Sequence, residues 1–247
     1  MELTTFAILI GGAVSGGFVS GLSGFGMALT TLGFWLYIFP PTVAVPLVLL
    51  CSVASQLSTM RSVWCHIDLK LVTPFLIGGL AGVVPGSLLV AHADPWRFKL
   101  CVGVFLLIFP PAMYFSRPLA VTFGGRWMDG VVGWIGGVMG GFAGLSGVPP
   151  MLWASLRGWD KHQRRGVFQA FNFTVLLAAI VVQTAHGLVT AEVLHAALFA
   201  LPGILIGARL GLRTYHALSD RSFSNVVLAL LFLSGLSVVW SSFAVAH

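Results

Sequence analysis

Two segments of this chain, Gly21-Leu22-Ser23-Gly24 and Gly144-Leu145-Ser146-Gly147, each place a hydroxyl among glycines inside long apolar sequence. Each Gly costs a helix interior about 1 kcal/mol relative to Ala, so both segments are expected to break a helix. A helix that begins after such a break turns its N-terminal N–H groups, and their partial positive charge, toward whatever lies at the break. The backbone at Gly21, Gly24, Gly144 and Gly147 lets a ligand approach closely, and successive N–H groups can form a nest. Ser23 and Ser146 would add hydroxyl donors. The chemistry this suits is holding an oxyanion without burying a full positive charge. Gly and Ser also let helices pack closely in a membrane, and the glycines of 12–16 and 133–137 fit that role. The paired placement, with Pro149-Pro150 directly after the second copy, favours binding at the two Gly-Leu-Ser-Gly segments.

Further polar side chains lie in the apolar runs that follow each segment: Ser55 and Gln56 after the first, Gln169 and Asn172 after the second. Their amides can donate to an oxyanion with no change of charge, or tie helices together at about 0.6 kcal/mol each. Arg209, in Gly207-Ala208-Arg209-Leu210-Gly211, has a planar fork that could clamp an oxyanion, or it could snorkel to the headgroups. The acids Glu2, Asp68, Asp94, Asp129, Asp160, Glu192 and Asp220 all stand at or near the ends of apolar runs. A cation pathway or carboxylate proton relay places acids inside the bundle, so metal-ion and polyamine transport are disfavoured. Glu192 and His195 have helical spacing and read as a solvated pair. Cys51, Cys65 and Cys101 have no metal or disulfide spacing. No acid, His or Cys cluster forms a catalytic set, and no cofactor or metal is implied.

The composition says what must hold these groups. The chain of 247 residues is 57% hydrophobic and 8% charged, with a mean hydropathy of +0.97. A soluble domain has about 25% charged residues. The 13 Lys+Arg against 7 Asp+Glu fall in short gaps between apolar runs, as positive-inside topology requires. They form no continuous basic face, and nothing resembles a nucleic-acid module. The Met1 end lacks the basic start of a signal peptide, so the first run reads as a retained span.

A spanning helix needs about 20 apolar residues. Eight runs fit, near 5–38, 42–60, 70–91, 98–115, 131–156, 166–186, 189–212 and 223–243. The expected fold is therefore an all-α integral membrane protein of about eight transmembrane helices, in two pseudo-symmetric halves with Gly-rich broken first helices. The halves are placed at 1–118 and 119–247, together one membrane domain. Residues 16–24 align with 140–147, and 82–86 with 203–207, at nearly the same offset. Duplicated halves are a transporter signature, with the substrate near their interface. Four spans per half would make the copies parallel, and an odd number of crossings would invert them. With eight single crossings, Arg97, Lys99, Arg157, Lys161, Arg164, Arg165, Arg209, Arg213 and Arg221 share the cytoplasmic side. Arg61, Lys70, Arg117 and Arg126 face the other side, with both termini. The basic segment 157–165 reads as a cytoplasmic loop with a lesser option of anionic lipid contact.

Taken together, these motifs resemble the TauE/SafE sulfite exporter family, also called the toluene-sulfonate uptake permease family. The resemblance rests on the paired Gly-rich helices at 16–24 and 140–147, the Val148-Pro149-Pro150 that follows the second, and the 203–211 segment. It covers nearly the whole chain. It implies a carrier that moves small sulfur-containing anions, sulfite or organosulfonates, across the cytoplasmic membrane. An anion channel, or a non-transport scaffold or lipid-modifying enzyme, is the alternative. The expected partners are the anion and membrane lipid, with protons as the candidate coupling ion, carried on the substrate itself. Direction of flow and oligomeric state are left open.

Overall fold

The computed structural model describes residues 3–24, 26–60, 67–115, 125–157, 159, 161–217, 232, 235 and 236. They form helices α1 (Leu3–Ser23), α2 (Met27–Ile38), α3 (Pro41–Met60), α4 (Leu69–Ala91), α5 (Pro95–Phe115), α6 (Gly125–Ala143), α7 (Val148–Leu156), α8 (Lys161–Ala185) and α9 (Ala191–Ala217). Local chemistry sets several starts. The Asp68 carboxylate accepts the Lys70 N–H at 2.8 Å and caps α4, and Asp94 accepts the Arg97 N–H at 2.9 Å before α5. Pro41 and Pro95 occupy first helical positions, where no N–H is needed. α1, α3, α4, residues 166–185 of α8 and 191–214 of α9 are each long and apolar enough to cross a membrane. The expected last span, 223–243, lies almost wholly outside the described residues, as does the expected boundary between halves at 118/119.

The run 5–38 is not one broken crossing. It is a hairpin: α1 runs out, the chain turns at Gly24–Gly26, and α2 comes back along α1. Gly16 faces Met27 and Thr31, Gly12 faces Phe34 and Trp35, and the Trp35 indole N–H donates to the Leu9 carbonyl at 3.2 Å. Twelve residues of α2 measure about 18 Å, short of the ~30 Å hydrocarbon core. α6 and α7 repeat the device. Gly140 lies against Ser146, and at the far end the Trp153 indole N–H donates to Asp129 Oδ1 at 2.7 Å. Both turns need left-handed backbone, and glycine supplies it: φ is 78° at Gly24, 86° at Gly26 and 69° at Gly144.

The hairpins are held by partners from far along the chain. α6 packs on α4, with Gly133 facing Phe75, Gly137 facing Gly79 and Gly141 facing Val83. α1 packs on α9, with Gly17 facing Ile204 and Gly21 facing Ala208. Residue numbers rise together in both pairs, so each pair is parallel. A Cβ on any of Gly17, Gly21, Gly133, Gly137 or Gly141 would come under 3.0 Å from backbone of the facing helix, so backbones touch with no side chain between them. The two pairs are copies. Adding 120 to the α1 numbers and subtracting 125 from the α9 numbers converts Gly17–Ile204 into Gly137–Gly79, and Gly21–Ala208 into Gly141–Val83.

This correspondence corrects the expected alignment. Gly24, not Gly21, is the counterpart of Gly144. Ser23 closes α1, whereas Ser146 lies in the turn before α7. Likewise Gly82 corresponds to Gly207 rather than Gly203, and Arg209 to Val84. The first alignment slipped by three to four residues and the second by four. Glycines that pack one face of a helix recur every turn, so a one-turn shift preserves most matches.

Directions follow from the contacts. α6 and α8 run parallel, Gly136 against Phe171 and Gly140 against Val175. α3 and α8 cross antiparallel. Gln169 bonds Thr59 near the end of α3, whereas the turn that reaches Asn172 touches α3 earlier, at Val48 and Leu49. α8 and α9 are joined by the short turn 186–190. So α1, α3 and α9 point one way, and α4, α6 and α8 the other. The corresponding helices α1 and α6 are antiparallel.

The hairpins also redistribute charge. Lys70, Arg126, Arg157, Lys161, Arg164, Arg165, Arg209 and Arg213 stand at the end where α1, α3 and α9 finish and α4, α6 and α8 begin. Arg97 and Lys99 stand at the opposite end, in the first turns of α5. Counting single crossings had put Arg97 and Lys99 with the 157–165 cluster and Lys70 and Arg126 against it. That grouping fails because 131–156 crosses and returns, which puts Arg126 and Arg157 at one end, and the return of 5–38 sets that end opposite the start of α1.

Candidate functional site

The two hairpin turns meet inside the protein. A Cβ on Gly144 would lie 3.2 Å from that of Ala28, in the first turn of α2, and 3.1 Å from Val48 of α3. The starts of α2 and α7 are therefore buried together, with α3 and α8 crossing beside them. The crossing carries the polar groups. Ser52, Ser55, Gln56 and Thr59 of α3 are all buried, as are Gln169 and Asn172 of α8.

Most of these groups are paired. The Ser55 hydroxyl donates to Ser20 Oγ of α1 at 2.9 Å. The Gln169 amide N–H2 donates to Thr59 Oγ1 at 2.8 Å and more distantly to the Gln56 carbonyl at 3.4 Å. The Ser146 hydroxyl donates to Asn172 Oδ1. The Ser23 hydroxyl turns back to the Val19 carbonyl at 2.7 Å. At this crossing four buried atoms make no hydrogen bond to the described residues: Nε2 and Oε1 of Gln56, Ser52 Oγ and Gln169 Oε1. Gln56 is 1% exposed and Ser52 2%. Leaving a buried polar group unpaired costs about 1–3 kcal/mol, so an amide with both ends unsatisfied is a place where a polar ligand or water replaces the missing partners.

The structure brings together Gln56, Gln169, Asn172 and Ser146 with the turn residues Gly144 and Gly147. Gly24 and Ser23 form the opposing turn. Gly21 belongs to the packing face, where it meets the Ala208 backbone. Arg209 is exposed on α9 and takes no part in the cluster. Glu192 and His195 are likewise exposed.

Ser20 and Thr59 were missed, because a hydroxyl in an apolar run most often bonds its own helix. So were Ser87 and Gln183. Gln183 donates to the Gly141 carbonyl at 2.9 Å, while Ser87 Oγ and Gln183 Oε1 have no partner among the described residues. Asp129 was placed at a run end, and it is 4% exposed there. Its carboxylate accepts from Trp153 and pairs with Arg157 Nη1 at 3.0 Å. Arg157 also stacks 5.0 Å above the Trp153 ring and donates to the Gly125 carbonyl at 3.0 Å. This network clamps the open end of the second hairpin. The first hairpin has Leu9 at the position of Asp129, and a backbone carbonyl does the work there.

The crossing thus holds buried amide and hydroxyl groups, and the turn before α7 meets the first turn of α2 and Val48 of α3 beside it. The family model described as "Sulfite exporter TauE/SafE" matches residues 8–238. No curated protein and no solved structure matches the chain.

Proposed function

The chain belongs to the sulfite exporter TauE/SafE family, and from that premise we propose that it is a secondary carrier for small sulfur-containing anions such as sulfite or an organosulfonate. The binding site is the crossing of α3 and α8 between the hairpin turns. The observation that carries this reading is Gln56, buried with both ends of its amide unpartnered at that crossing.

In this reading the Gln56 N–H2 and Ser52 hydroxyl donate to the oxyanion, and the N-terminal turns of α2 and α7 add their partial positive charge. Ser146, Asn172, Thr59 and Gln169 hold the surrounding geometry. Among the residues whose side chains are described, the crossing offers neutral donors, and binding through them stays weak enough for release. Inverted halves around a central site suit alternating access, in which one half rocks against the other. Sulfite titrates near neutral pH, so a coupled proton can travel on the substrate. The positive-inside rule assigns the Arg157 and Arg126 end to the cytoplasm and the start of α1 to the outside.

The experiment is flux of labelled sulfite, with a labelled sulfonate in parallel, into proteoliposomes of the purified protein. Saturable flux, competed by other small sulfur oxyanions and lost in Gln56→Leu, is the expected result. Sealed liposomes with oriented protein and no flux of either anion would overturn the substrate class. Single-channel currents would replace the carrier by a channel.

A further inference from the structure

We infer that the groove between the first halves of α4 and α6 is a binding site for one anionic phospholipid of the cytoplasmic leaflet. The groove measures about 420 Å³ and is lined by Ile77, Gly78, Gly130, Trp134, Trp127 and Arg126 among others. Its floor is low because two glycines meet there, Gly78 against the Gly130 carbonyl. Its walls face outward: Ile77 is 69% exposed and Trp127 79%. Such a channel takes an acyl chain.

Charge is confined to one end. The exposed Arg126 guanidinium donates to the Lys70 backbone carbonyl at 3.3 Å, which holds the Arg at the start of α4, where Lys70 is a second basic residue. The neighbouring carboxylates are already engaged. Asp68 caps α4 through the Lys70 N–H, and Asp129 is turned inward to Trp153 and Arg157. Anionic headgroups concentrate in the cytoplasmic leaflet, the side assigned to this end on the proposed topology. Trp127 and Trp134 supply the amphipathic rings found at that depth.

The molecule contains its own control. By the correspondence between the halves, Arg126 stands where Phe6 does and Pro74 where Phe199 does. At that second place the two phenyl rings meet edge to face, 6.2 Å apart, across the same junction. One copy of the junction is closed by aromatic rings at the outer face. The other is open and carries a cation at the inner face. A helix pair that needed only to pack would not need the difference.

The test is native mass spectrometry of the full-length protein with equal amounts of phosphatidylglycerol and phosphatidylethanolamine of the same chains. Wild type should retain phosphatidylglycerol about tenfold over phosphatidylethanolamine, the size of one charge-assisted contact. Arg126→Gln should abolish the preference while leaving lipid bound. Gly130→Leu, which fills open space at a position whose Cβ would meet only the Pro74 carbonyl at 3.7 Å, should expel both lipids. Equal retention by wild type would overturn the proposal. So would a preference that survives in Arg126→Gln, which marks a diffuse positive surface. A dimer lost in Gly130→Leu with lipid retention unchanged would assign the groove to a second copy instead. Arg126 is exposed, so its variant decides the question even where Gly130→Leu does not fold. Loss of anion flux bears on the central site alone.

Discussion

Replacing Gln56 by Leu should make the protein more stable and stop it working. The reasoning starts from the two amide atoms, Nε2 and Oε1, that lie buried without a partner among the described residues. A buried group left unpaired costs about 1–3 kcal/mol. Leu has nearly the same volume and needs no hydrogen bond, so the substitution should return that amount, with overpacking small for a near-isosteric change. For a chain of this size each kcal/mol moves the unfolding temperature by about 2–4 °C, giving a rise of roughly 2–12 °C. The intrinsic fluorescence of the 8 Trp allows thermal unfolding to be followed in detergent, and proteoliposome flux should fall at least tenfold. Gln169→Leu is the contrast. Its N–H2 already bonds Thr59, so that variant should gain no stability. A lowered unfolding temperature in Gln56→Leu would show that the amide holds the fold together, and flux equal to wild type would remove it from the path. Either result refutes the argument.

Other consequences follow from packing, charge and topology. Gly137→Leu should yield little monodisperse protein on size-exclusion chromatography, because its side chain would drive α6 off the Gly79 backbone. Gly11→Ala meets nothing within 4 Å and should gain about 0.5–1 kcal/mol in the same unfolding assay. Asp129→Ala removes the acceptor for Trp153 and the partner of Arg157 and should cost about 2–4 kcal/mol, given that Arg157 is partly exposed. Asp129→Asn keeps an acceptor for the indole and should cost less, a ranking that thermal unfolding checks. In intact cells of a cysteine-free background, Gly187→Cys in the α8–α9 turn should react with an impermeant maleimide from outside, and Arg213→Cys should not. The reverse pattern would invert the proposed orientation.

The membrane character and the glycine breaks were legible because both are local. Hydropathy reads each helix alone, and glycine is costly in any helix interior. The α1–α2 hairpin was not legible as a hairpin. Its turn is buried against the second hairpin, so it needs no charged or polar loop, and the run 5–38 shows no charge to mark the return. Gln56, Gln169 and Asn172 were visible as amides in apolar sequence, whereas their pairing with Thr59 and Ser146 depends on which helices cross. Asp129 looked like a run-end acid. Its burial is decided by Trp153 and Arg157, more than twenty residues away in sequence. Arg209 was weighed for the site because its helix carries the glycine motif, and the structure turns it to the outside of that helix.

The pairing of α1 with α9 and of α4 with α6 also governs how the protein is made. α1 leaves the ribosome well before α9, and the glycine face that meets α9 is covered only when that helix arrives nearly 190 residues later. At about 5–20 residues per second, that is roughly 10–40 s in which the α9-facing side of α1 has no partner helix. α4 waits a shorter time for α6. The α4–α6 pair can therefore close before the α1–α9 pair, and α1 is seated on its partner only late in synthesis. A nascent chain that stops before α9 leaves α1 without that partner, a marker by which membrane quality control can tell unfinished copies from complete ones.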